Sequence, residues 1–442
     1  GRGAAAMSGP ERAGYDVAVI GAGMAGMATA LFAAAQGLSC IQIGNAGSIL
    51  FATGLLDLLG VHPVAEARRW RSPYQALAAL GRDQPEHPLA RVDQTAIRQA
   101  FETFVAALGS AGMPYAPLGE LNSEVLTSIG TVKSSYGVPV TMAAGAAALA
   151  ARTPCLLIDF RGLREFSAAQ VVAALADRWP GLRHARIEFP NSENTTELYD
   201  AHLAGALESA GTRARTINLV KPLLGAAQAV GFPAVLGLAR APQVHAAFEA
   251  ALGVPVFEIP TIPTSVPGLR LLAALERAVA ASGVERRYWA RVRGLIYDAA
   301  GKIATLELDD LAGGDRVVAR SVVLATGRFN GRGLTADRRG VRESILDLPV
   351  SQPDSRDAWH QRDFLAPAGH PINRAGLMVD DTWHPLDASG KAAWPGLFAV
   401  GSILAHQDWM RSKCGSGLAI ATAWAVVEQV AHQLRGAGAG RR

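Results

Sequence analysis

The pattern of apolar positions near the N-terminus predicts a strand, a helix and a second strand in close succession. Val17, Val19 and Ile20 form a short apolar run, which is the pattern of a buried strand. Residues 28–36 are rich in Ala and read as a helix, and Ser39 to Ile43 read as a second strand. A strand, a helix and a strand joined by short connections predict a parallel α/β unit.

Apolar runs near the other end of the chain predict a return to the same kind of fold. Arg291 to Tyr297 and Lys302 to Leu308 read as two strands joined by a turn, and Arg316 to Ala319 read as a short third strand. The run from Ser321 to Gly327 reads as a buried strand that ends in Ala-Thr-Gly. Such a meander, followed by such a strand, is typical of flavoproteins with two dinucleotide-binding folds.

The segment between these two regions has a different pattern of predicted elements, with helices, many loops and short strands such as Cys155 to Phe160. Ile259 to Gly268 is rich in Pro, which withholds backbone donors, so we expect irregular structure there. The expected fold class is therefore α/β. A Rossmann-like domain of the FAD/NAD(P)-binding type would comprise 14–66 and 266–442, with a mixed α/β substrate or partner domain inserted at 67–265. Residues 1–13 are expected to be a disordered extension.

The composition of the chain argues against several classes of function. The 442 residues carry a net charge of only +4 and no long basic run, which argues against binding to nucleic acid. The three cysteines lie far apart and form no Cys-x-x-Cys pair, so we expect no iron–sulfur cluster, no metal site and no disulfide framework. We also expect a cytoplasmic chain, because the lack of a disulfide framework fits a reducing compartment, and a soluble one, because no run of 18 apolar residues occurs without charges or turn signals.

The first strand ends in a glycine motif that favours a phosphate ligand. Gly21, Gly23 and Gly26 form Gly-x-Gly-x-x-Gly at the start of a helix. The first glycine permits a tight turn, the second lets a pyrophosphate approach and the third lets helix and strand pack closely. The candidate cofactor-binding residues here are Gly21, Ala22, Gly23, Met24, Ala25 and Gly26.

The end of the second strand departs from the usual dinucleotide pattern. Many such strands end in an acidic residue that binds a ribose, whereas this one continues as Gly44-Asn45. Asn45 could still hydrogen-bond a hydroxyl group. The missing acid weakens a prediction of NAD and leaves FAD and FMN both open. Thr53 and Gly54 follow where a flavin ring would approach, although the alternative is an ordinary turn with a solvated Asp57.

Three later segments add further candidates for cofactor binding. The glycine-rich helix start after Cys414 could stabilise negative charge on a reduced flavin. The candidate residues are Ala325, Thr326, Gly327, Gly401, Ser402, Gly415, Ser416 and Gly417.

Four charged or titratable residues near these loops are candidates for catalysis. Oxidation of an alcohol needs a base near the hydroxyl group, and a phosphate needs Arg or Lys. His406, Arg328, Arg411 and Lys413 meet these requirements by type and position. For each of them a structural or solvated role is the competing interpretation.

Together these motifs resemble one family, the B subunit of anaerobic glycerol-3-phosphate dehydrogenase, over nearly the whole chain. The most specific stretches are Asp159-Phe160-Arg161-Gly162-Leu163 and the Pro-rich segment that ends Ser-Val-Pro-Gly. The other matching segments are Tyr15 to Gly26, Thr53 to Leu59, Gly130-Thr131, Pro139 to Met142, Ala325 to Phe329 and Gly333-Leu334.

The resemblance implies a role in a respiratory complex of three different subunits. The A subunit, also a flavoprotein, would oxidise sn-glycerol 3-phosphate to dihydroxyacetone phosphate. The C subunit would carry iron–sulfur clusters and associate with the membrane. This chain would hold FMN and pass electrons toward the quinone pool, lying at the inner face of the membrane through a partner. The glycine motif itself favours FAD instead.

Two other functions remain as alternatives. The first is a self-sufficient FAD-dependent enzyme of the fumarate-reductase type, for which we expect His and Arg clustered in the inserted segment. That segment contains only His184, His202 and His245 beyond residue 122, and they share no motif. The second is a scaffold protein with a vestigial cofactor fold, which the missing acid favours and the many glycines oppose.

Overall fold

The structure is a computed structural model that describes residues 14–45, 47–309 and 315–439. The extension predicted at residues 1–13 lies outside this range. Helices occur at α1 (Met24–Ala35), α2 (Pro73–Asp83), α3 (Gln94–Ser110), α4 (Val140–Ala151), α5 (Ala168–Leu175), α6 (Asp200–Ala206), α7 (Ala210–Val220), α8 (Ala241–Leu252), α9 (Val266–Ala281), α10 (Trp409–Ser412) and α11 (Gly415–Ala439).

The strands of the described residues fall into two larger sheets and three short hairpin-like pairs. They are β1 (Tyr15–Ile20), β2 (Cys40–Ile43), β3 (Ser123–Leu126), β4 (Val132–Ser135), β5 (Cys155–Phe160), β6 (Leu182–Ile187), β7 (Ala229–Pro233), β8 (Val256–Ile259), β9 (Glu285–Arg287), β10 (Arg291–Tyr297), β11 (Ala304–Asp309), β12 (Arg316–Leu324), β13 (Leu334–Asp337), β14 (Gly340–Glu343), β15 (Val350–Ser351), β16 (Gly376–Leu377) and β17 (Leu397–Ala399).

The larger sheet has the order β10-β11-β12-β1-β2-β9, with β17 also paired to β12. β9, β2, β1, β12 and β17 run parallel, and β10, β11 and the first part of β12 form an antiparallel meander. The predicted α/β class and the predicted meander are therefore both present. The carboxyl ends of the parallel strands share one edge of this sheet.

The strand prediction at 316–327 was wrong in one respect, because the two predicted strands are one. β12 runs without a break from Arg316 to Leu324. Its first half pairs with β11, and its second half pairs with β17 on that same side and with β1 on the other. One long strand is needed because it links the meander to the parallel part of the sheet.

Helices α1, α11 and α3 pack together beside the larger sheet. The Phe32 ring of α1 meets the Trp424 ring of α11 edge to face, with ring centroids 5.0 Å apart, and it meets Phe104 of α3 at 6.4 Å. Burial of such large aromatic side chains is a main source of stability in an α/β core. This packing fixes the position of the first turn of α1, where the glycine motif lies.

The smaller sheet is parallel throughout, with the order β6-β5-β7-β8. β5 is buried along its whole length, which is expected for a central strand with both faces covered. Side chains of this smaller sheet and of the helices beside it form a second hydrophobic core, whose residues lie between Leu126 and Val266 along the chain. The sequence predicted β5 but not β7 or β8, whose short apolar runs carry no clear strand period.

Part of the predicted insertion belongs to the hydrophobic core of the larger sheet. Side chains from Tyr74 to Met113, which include α2 and α3, belong to the first core. The boundaries predicted at 67 and 265 stay predictions, and we propose that the first lies nearer residue 120. The Pro-rich segment is also more regular than expected at its end, because α9 begins at Val266 with Pro267 in its first turn.

Helix α9 connects the two cores. Val266 at its start lies in the second core, whereas Leu271 and Leu275 lie in the first. Arg270 of α9 forms a buried ion pair with Glu258 of β8, with its Nη1 2.6 Å from Oε2. The same guanidinium donates to the carbonyl oxygen of Gly237. These contacts hold the smaller sheet against the helix that packs on the larger one.

Candidate functional site

The predicted cofactor segments meet at the carboxyl edge of the parallel strands. A Cβ built on Gly21, after β1, would lie 2.3 Å from the carbonyl oxygen of Ala325, after β12. A Cβ on Gly44, after β2, would lie 3.5 Å from the Cα of Gly21. A Cβ on Gly401, after β17, would lie 2.6 Å from the Cβ of Ala25. This edge is where open α/β sheets bind their ligands.

The three glycines of the motif have different surroundings. Gly21 has φ +118°, which favours glycine, and a Cβ on Gly26 would lie 2.0 Å from the carbonyl oxygen of Gly21. Both glycines are therefore required by packing within the chain. A Cβ on Gly23 would meet only the Ser48 Oγ, at 3.7 Å. Gly23 thus leaves open space at the place where the motif brings a pyrophosphate.

The first turn of α1 offers backbone donors at this open space. Gly23 is the N-cap and provides no side-chain hydrogen bond to the turn. The first N–H groups of a helix have no acceptor inside the helix, and the helix dipole makes this end positive. The turn therefore suits an anion that approaches over Gly23.

The end of β2 is built differently from the usual acidic terminus. The side-chain oxygen of Asn45 accepts a hydrogen bond from the backbone N–H of Trp289, at 2.9 Å. Gln42 likewise accepts from the Nε of Arg286, at 3.0 Å. Asn45 thus anchors the segment that follows β9, and its predicted contact with a cofactor stays a prediction.

The Ala-Thr-Gly end of β12 contains a buried hydroxyl group without a partner. Thr326 Oγ1 is buried and makes no hydrogen bond with any residue of the described ranges. A buried polar atom without a partner costs free energy, and a bound ligand is one way to satisfy it. Gly327 follows with φ +68°, so the chain turns away directly after Thr326.

A further loop crosses the start of α1. Gly401 has φ +74°, and its N–H donates to the Thr422 hydroxyl of α11 at 2.9 Å. This bond fixes the loop between α1 and α11, with Ser402 half-buried beside it. The loop therefore closes one side of the open space above Gly23.

The segment after Thr53 runs between α9 and the start of α11. Gly54 has φ +78°, and its carbonyl oxygen accepts from the hydroxyl group of Tyr115 at 2.6 Å. Further along, the N–H of Gly417 donates to the carbonyl oxygen of Asp57 at 2.7 Å. Gly417 therefore packs on the chain itself, and a Cβ on Gly415 would lie 3.0 Å from Cε3 of Trp409; Gly415 and Ser416 are both half-buried.

Arg328 is held by backbone carbonyl groups. Its Nη2 donates to Ile372 at 2.8 Å and its Nη1 to Asn373, while its Nε is buried without a partner among the described residues. Burial lowers the pKa of Arg328, and the nearby charge of Asp408 opposes this shift. The contacts suit a residue that orients the 372–373 loop, and its predicted catalytic role stays a prediction.

His406 and Arg411 lie on the loop and the short helix between Gly401 and α11. His406 has φ +66° and its backbone N–H donates to Arg374, while its half-buried ring makes no hydrogen bond with a described residue. Burial lowers the pKa of His87 to about 3, and the charge of His406 contributes to this shift. Arg411 donates from Nη1 to the carbonyl oxygen of Ala366 at 2.8 Å.

Lys413 lies beside charged residues that the sequence did not single out. Partial burial lowers the pKa of Lys413, and the positive charges of Lys133 and Arg69 lower it further, against the effect of Asp57. Asp57 is bound to the Nζ of Lys133 at 2.7 Å, so it is not the solvated residue of the alternative interpretation. No local motif marks Lys133, because only the fold brings its strand to this loop.

The described residues contain neither a cluster suited to a metal ion nor a helix suited to span a membrane. No group of three or more His, Cys, Asp or Glu residues in these ranges is arranged to hold a metal ion. Within the same ranges, no helix has the length and apolar character needed to cross a membrane. Cys40, Cys155 and Cys414 are buried free thiols.

Comparison with known proteins identifies the family. The model of the FAD-binding domain family matches residues 16–418. The B subunit of anaerobic glycerol-3-phosphate dehydrogenase from Vibrio cholerae is 30% identical over 434 residues, covering 94% of this chain and 96% of that protein. The chain belongs to this family. The corresponding protein of Pectobacterium atrosepticum is 27% identical and covers 94% of this chain and 98% of its own.

Among solved structures, 3-ketosteroid Δ1-dehydrogenase from Sterolibacterium denitrificans aligns with 95% of this chain and 99% of its own, at 13% identity and a TM-score of 0.44. The family match confirms a Rossmann-like flavoprotein fold and a flavin oxidoreductase. It supports FAD and gives no support to FMN, which the resemblance had implied.

Proposed function

We propose that this member of the B-subunit family binds FAD and takes part in the oxidation of sn-glycerol 3-phosphate to dihydroxyacetone phosphate within a respiratory complex. The observation that carries the proposal is the meeting of four glycine-bearing segments around the open face of Gly23, in a chain of this family. When bound, FAD would supply the two-electron acceptor: it would take one hydride, which is a proton with two electrons, from the alcohol carbon, while the hydroxyl proton leaves to a base.

The residues of the site fit FAD by their own chemistry. The first N–H groups of α1 would hold the pyrophosphate, because they are uncapped and face the space over Gly23. The buried hydroxyl group of Thr326 would bond the cofactor, since no described residue satisfies it. Gly415 and Ser416, at the positive end of α11, would stabilise negative charge near the flavin ring.

The partners belong to the proposal as well. The relatives are named as the B subunit of an enzyme, so we expect a flavoprotein partner, the A subunit, and an iron–sulfur partner, the C subunit. Electrons would leave through the iron–sulfur partner to quinone, and the chain would lie at the inner face of the membrane through that partner. His406, Arg328, Arg411 and Lys413 are the residues that we expect to line the reactive side of the site.

The test is an anaerobic assay of the chain purified with its two partners. We expect sn-glycerol 3-phosphate to bleach the visible absorption of both flavins, that of the A subunit and the FAD of this chain, and to reduce a soluble quinone analogue. Glycerol, which lacks the phosphate, serves as the control and should do neither. A complex that carries flavin but is not reduced by sn-glycerol 3-phosphate would contradict the proposed substrate.

The two alternatives make different predictions in the same assay. A self-sufficient enzyme of the fumarate-reductase type would turn over without partners. A scaffold protein would leave the activity unchanged when its own flavin site is blocked. The histidines of the inserted segment give the first alternative no added support, because buried His245 is bonded to the carbonyl oxygen of Val256 and His202 packs on Tyr199.

A further inference from the structure

A group of basic side chains surrounds the loop after Thr53, and we name it the basic cluster: Arg69, Lys133, Arg411 and Lys413. Gly60 lies beside Lys413 of this cluster. The N–H of Gly60 bonds the carbonyl oxygen of Lys413 at 3.2 Å, and a Cβ there would lie 3.1 Å from the Cβ of Lys413 and 3.7 Å from that of Ser134. The 412–413 turn and β4 are therefore in close contact.

The cluster carries more positive charge than its acidic neighbours balance. Asp57 is bound to Lys133 at 2.7 Å, and Asp408 bonds the Arg411 backbone and the side chain of Asn373. Arg69 is exposed and donates to the carbonyl oxygen of Val132. Four cations against two carboxylates leave a surplus of two positive charges.

Lys413 has no partner within the described residues. Lys413 is exposed, and its Nζ makes no ion pair and no hydrogen bond with any residue of these ranges; desolvation and the neighbouring cations lower its pKa. Only Cys414 separates Lys413 from Gly415, the first residue of the 25-residue helix α11, and the N-terminal end of a helix is its positive end. A group of like charges at a helix start is stabilised when a dianion binds among them.

We propose that the basic cluster binds the phosphate monoester of the substrate, with Lys413 and Lys133 as its main ligands and the backbone N–H groups of Gly415 and Ser416 at the start of α11 as further donors. This inference rests on the proposed function and names the phosphate-binding part of the same site. A phosphate monoester carries about −1.5 to −2 charges at neutral pH, which matches the surplus of the cluster. Asp57, the carboxylate among these cations, weakens the attraction and limits the affinity for other anions.

The continuity of the chain ties the cluster to the cofactor segments. Asp57 follows Thr53 and Gly54 closely in the chain and accepts the N–H of Gly417 through its carbonyl oxygen. Lys413 shortly precedes Gly415. A substrate held here by its phosphate therefore has its hydroxyl groups beside the segments that we expect to face the flavin ring.

The test measures anion binding by isothermal titration calorimetry on the full, flavin-loaded chain at low salt. Inorganic phosphate, sn-glycerol 3-phosphate and glycerol are titrated separately. We expect the two phosphates to bind and glycerol not to bind, with binding weakened by added NaCl because the attraction is electrostatic. Failure of both phosphates to bind would overturn the inference.

Substitutions then assign the binding to the cluster. Lys413→Gln should raise the dissociation constant for phosphate at least tenfold, whereas Lys413→Arg should keep most of the affinity. Asp57→Asn should tighten phosphate binding several-fold, because it removes one negative charge; a merely structural Asp57 would not have this effect. Lys221→Gln, at an exposed lysine in the region of the smaller sheet, is the matched control and should leave the affinity unchanged.

The outcomes separate this inference from the proposed function. If Lys413→Gln and Lys133→Gln both fold, keep flavin and bind phosphate as the wild type does, the cluster is not the phosphate site, whatever the substrate. If phosphate binding depends on Lys413 but the complex does not oxidise sn-glycerol 3-phosphate, the binding site stands and the proposed function fails.

Discussion

At the scale of single residues, the glycine motif could be predicted from sequence because its spacing is local. The separate roles of its members could not. Gly21 and Gly26 are fixed by contacts with the chain itself, and the first of these contacts is with Ala325, near the other end of the chain. Thr326 illustrates the same limit, since its lack of a partner among the described residues depends on how the whole loop folds.

A first prediction separates the cofactor role of Gly23 from a structural role. Gly23→Ala should fold with nearly unchanged stability, because its φ of −76° suits alanine and its Cβ would meet open space. Flavin affinity should fall at least tenfold, because the new methyl group lies where the pyrophosphate approaches. Flavin titration followed by fluorescence measures this effect.

Two matched glycine variants serve as controls. Gly81→Ala lies in helix α2 with nothing within 4 Å of its new Cβ, so it should keep the flavin and gain up to about 1 kcal/mol of stability. Gly26→Ala should destabilise the fold, because its Cβ would lie 2.0 Å from a carbonyl oxygen. Equal flavin affinity in Gly23→Ala and the wild type would contradict the assigned role.

At the scale of elements, local patterns predicted β5 and β10 with their observed bounds, because β5 begins with a continuous apolar run and β10 is followed directly by the turn at Asp298 to Gly301. The patterns did not predict that β12 is continuous, since Arg320 reads as a break in an apolar run. They also missed the basic cluster, because β4 and the start of α11 approach each other only through the fold.

A second prediction concerns Glu208, which joins α6 to the start of α8. Its Oε1 accepts the N–H groups of Leu238, Ala239 and Arg240 at 2.7–2.9 Å, and its Oε2 accepts from the Arg240 side chain. Burial acts to raise the pKa of Glu208, but the bonds to residues 238–240 outweigh it and lower the pKa from 4.5 to about 2.

A carboxylate whose pKa is lowered in the folded state stabilises it fully above the unfolded value and loses this effect as the pH falls from about 4.5 to 2. Glu208→Gln should therefore cost roughly 1–3 kcal/mol at neutral pH and flatten the loss of stability below pH 4.5. Denaturant melts across this pH range measure the effect, and Glu193→Gln in an exposed loop is the control. If the free energy of unfolding fell below pH 4.5 as steeply in Glu208→Gln as in the wild type, the assignment would be refuted.

A third prediction tests the link between the two cores. Arg270→Met leaves Glu258 buried without its cation, which should cost about 3–5 kcal/mol in the free energy of unfolding. The double variant Arg270→Met, Glu258→Leu removes both charges and should recover much of that loss. Urea melts of the two variants decide the matter, and a double variant no more stable than Arg270→Met would show that the charge left behind is not the cause.

At the scale of the whole molecule, the sequence predicted the fold class because strand ends, glycine motif and meander all indicate the same architecture. It did not settle the cofactor. The family resemblance implied FMN, the motif favoured FAD, and the missing acid after β2 supported neither. The family match over residues 16–418 supports FAD, and in the structure the usual acidic position is taken by Asn45, bonded to Trp289.

The central claim is that this chain holds FAD over Gly23 at the carboxyl edge of its larger sheet. The most direct measurement is to denature the purified chain and identify the released flavin by chromatography, in parallel for the wild type, Gly23→Ala and Gly81→Ala. We predict one FAD per chain from the wild type and from Gly81→Ala, and little or none from Gly23→Ala. Release of FMN, or no flavin from wild-type chain reconstituted with FAD, would contradict the claim.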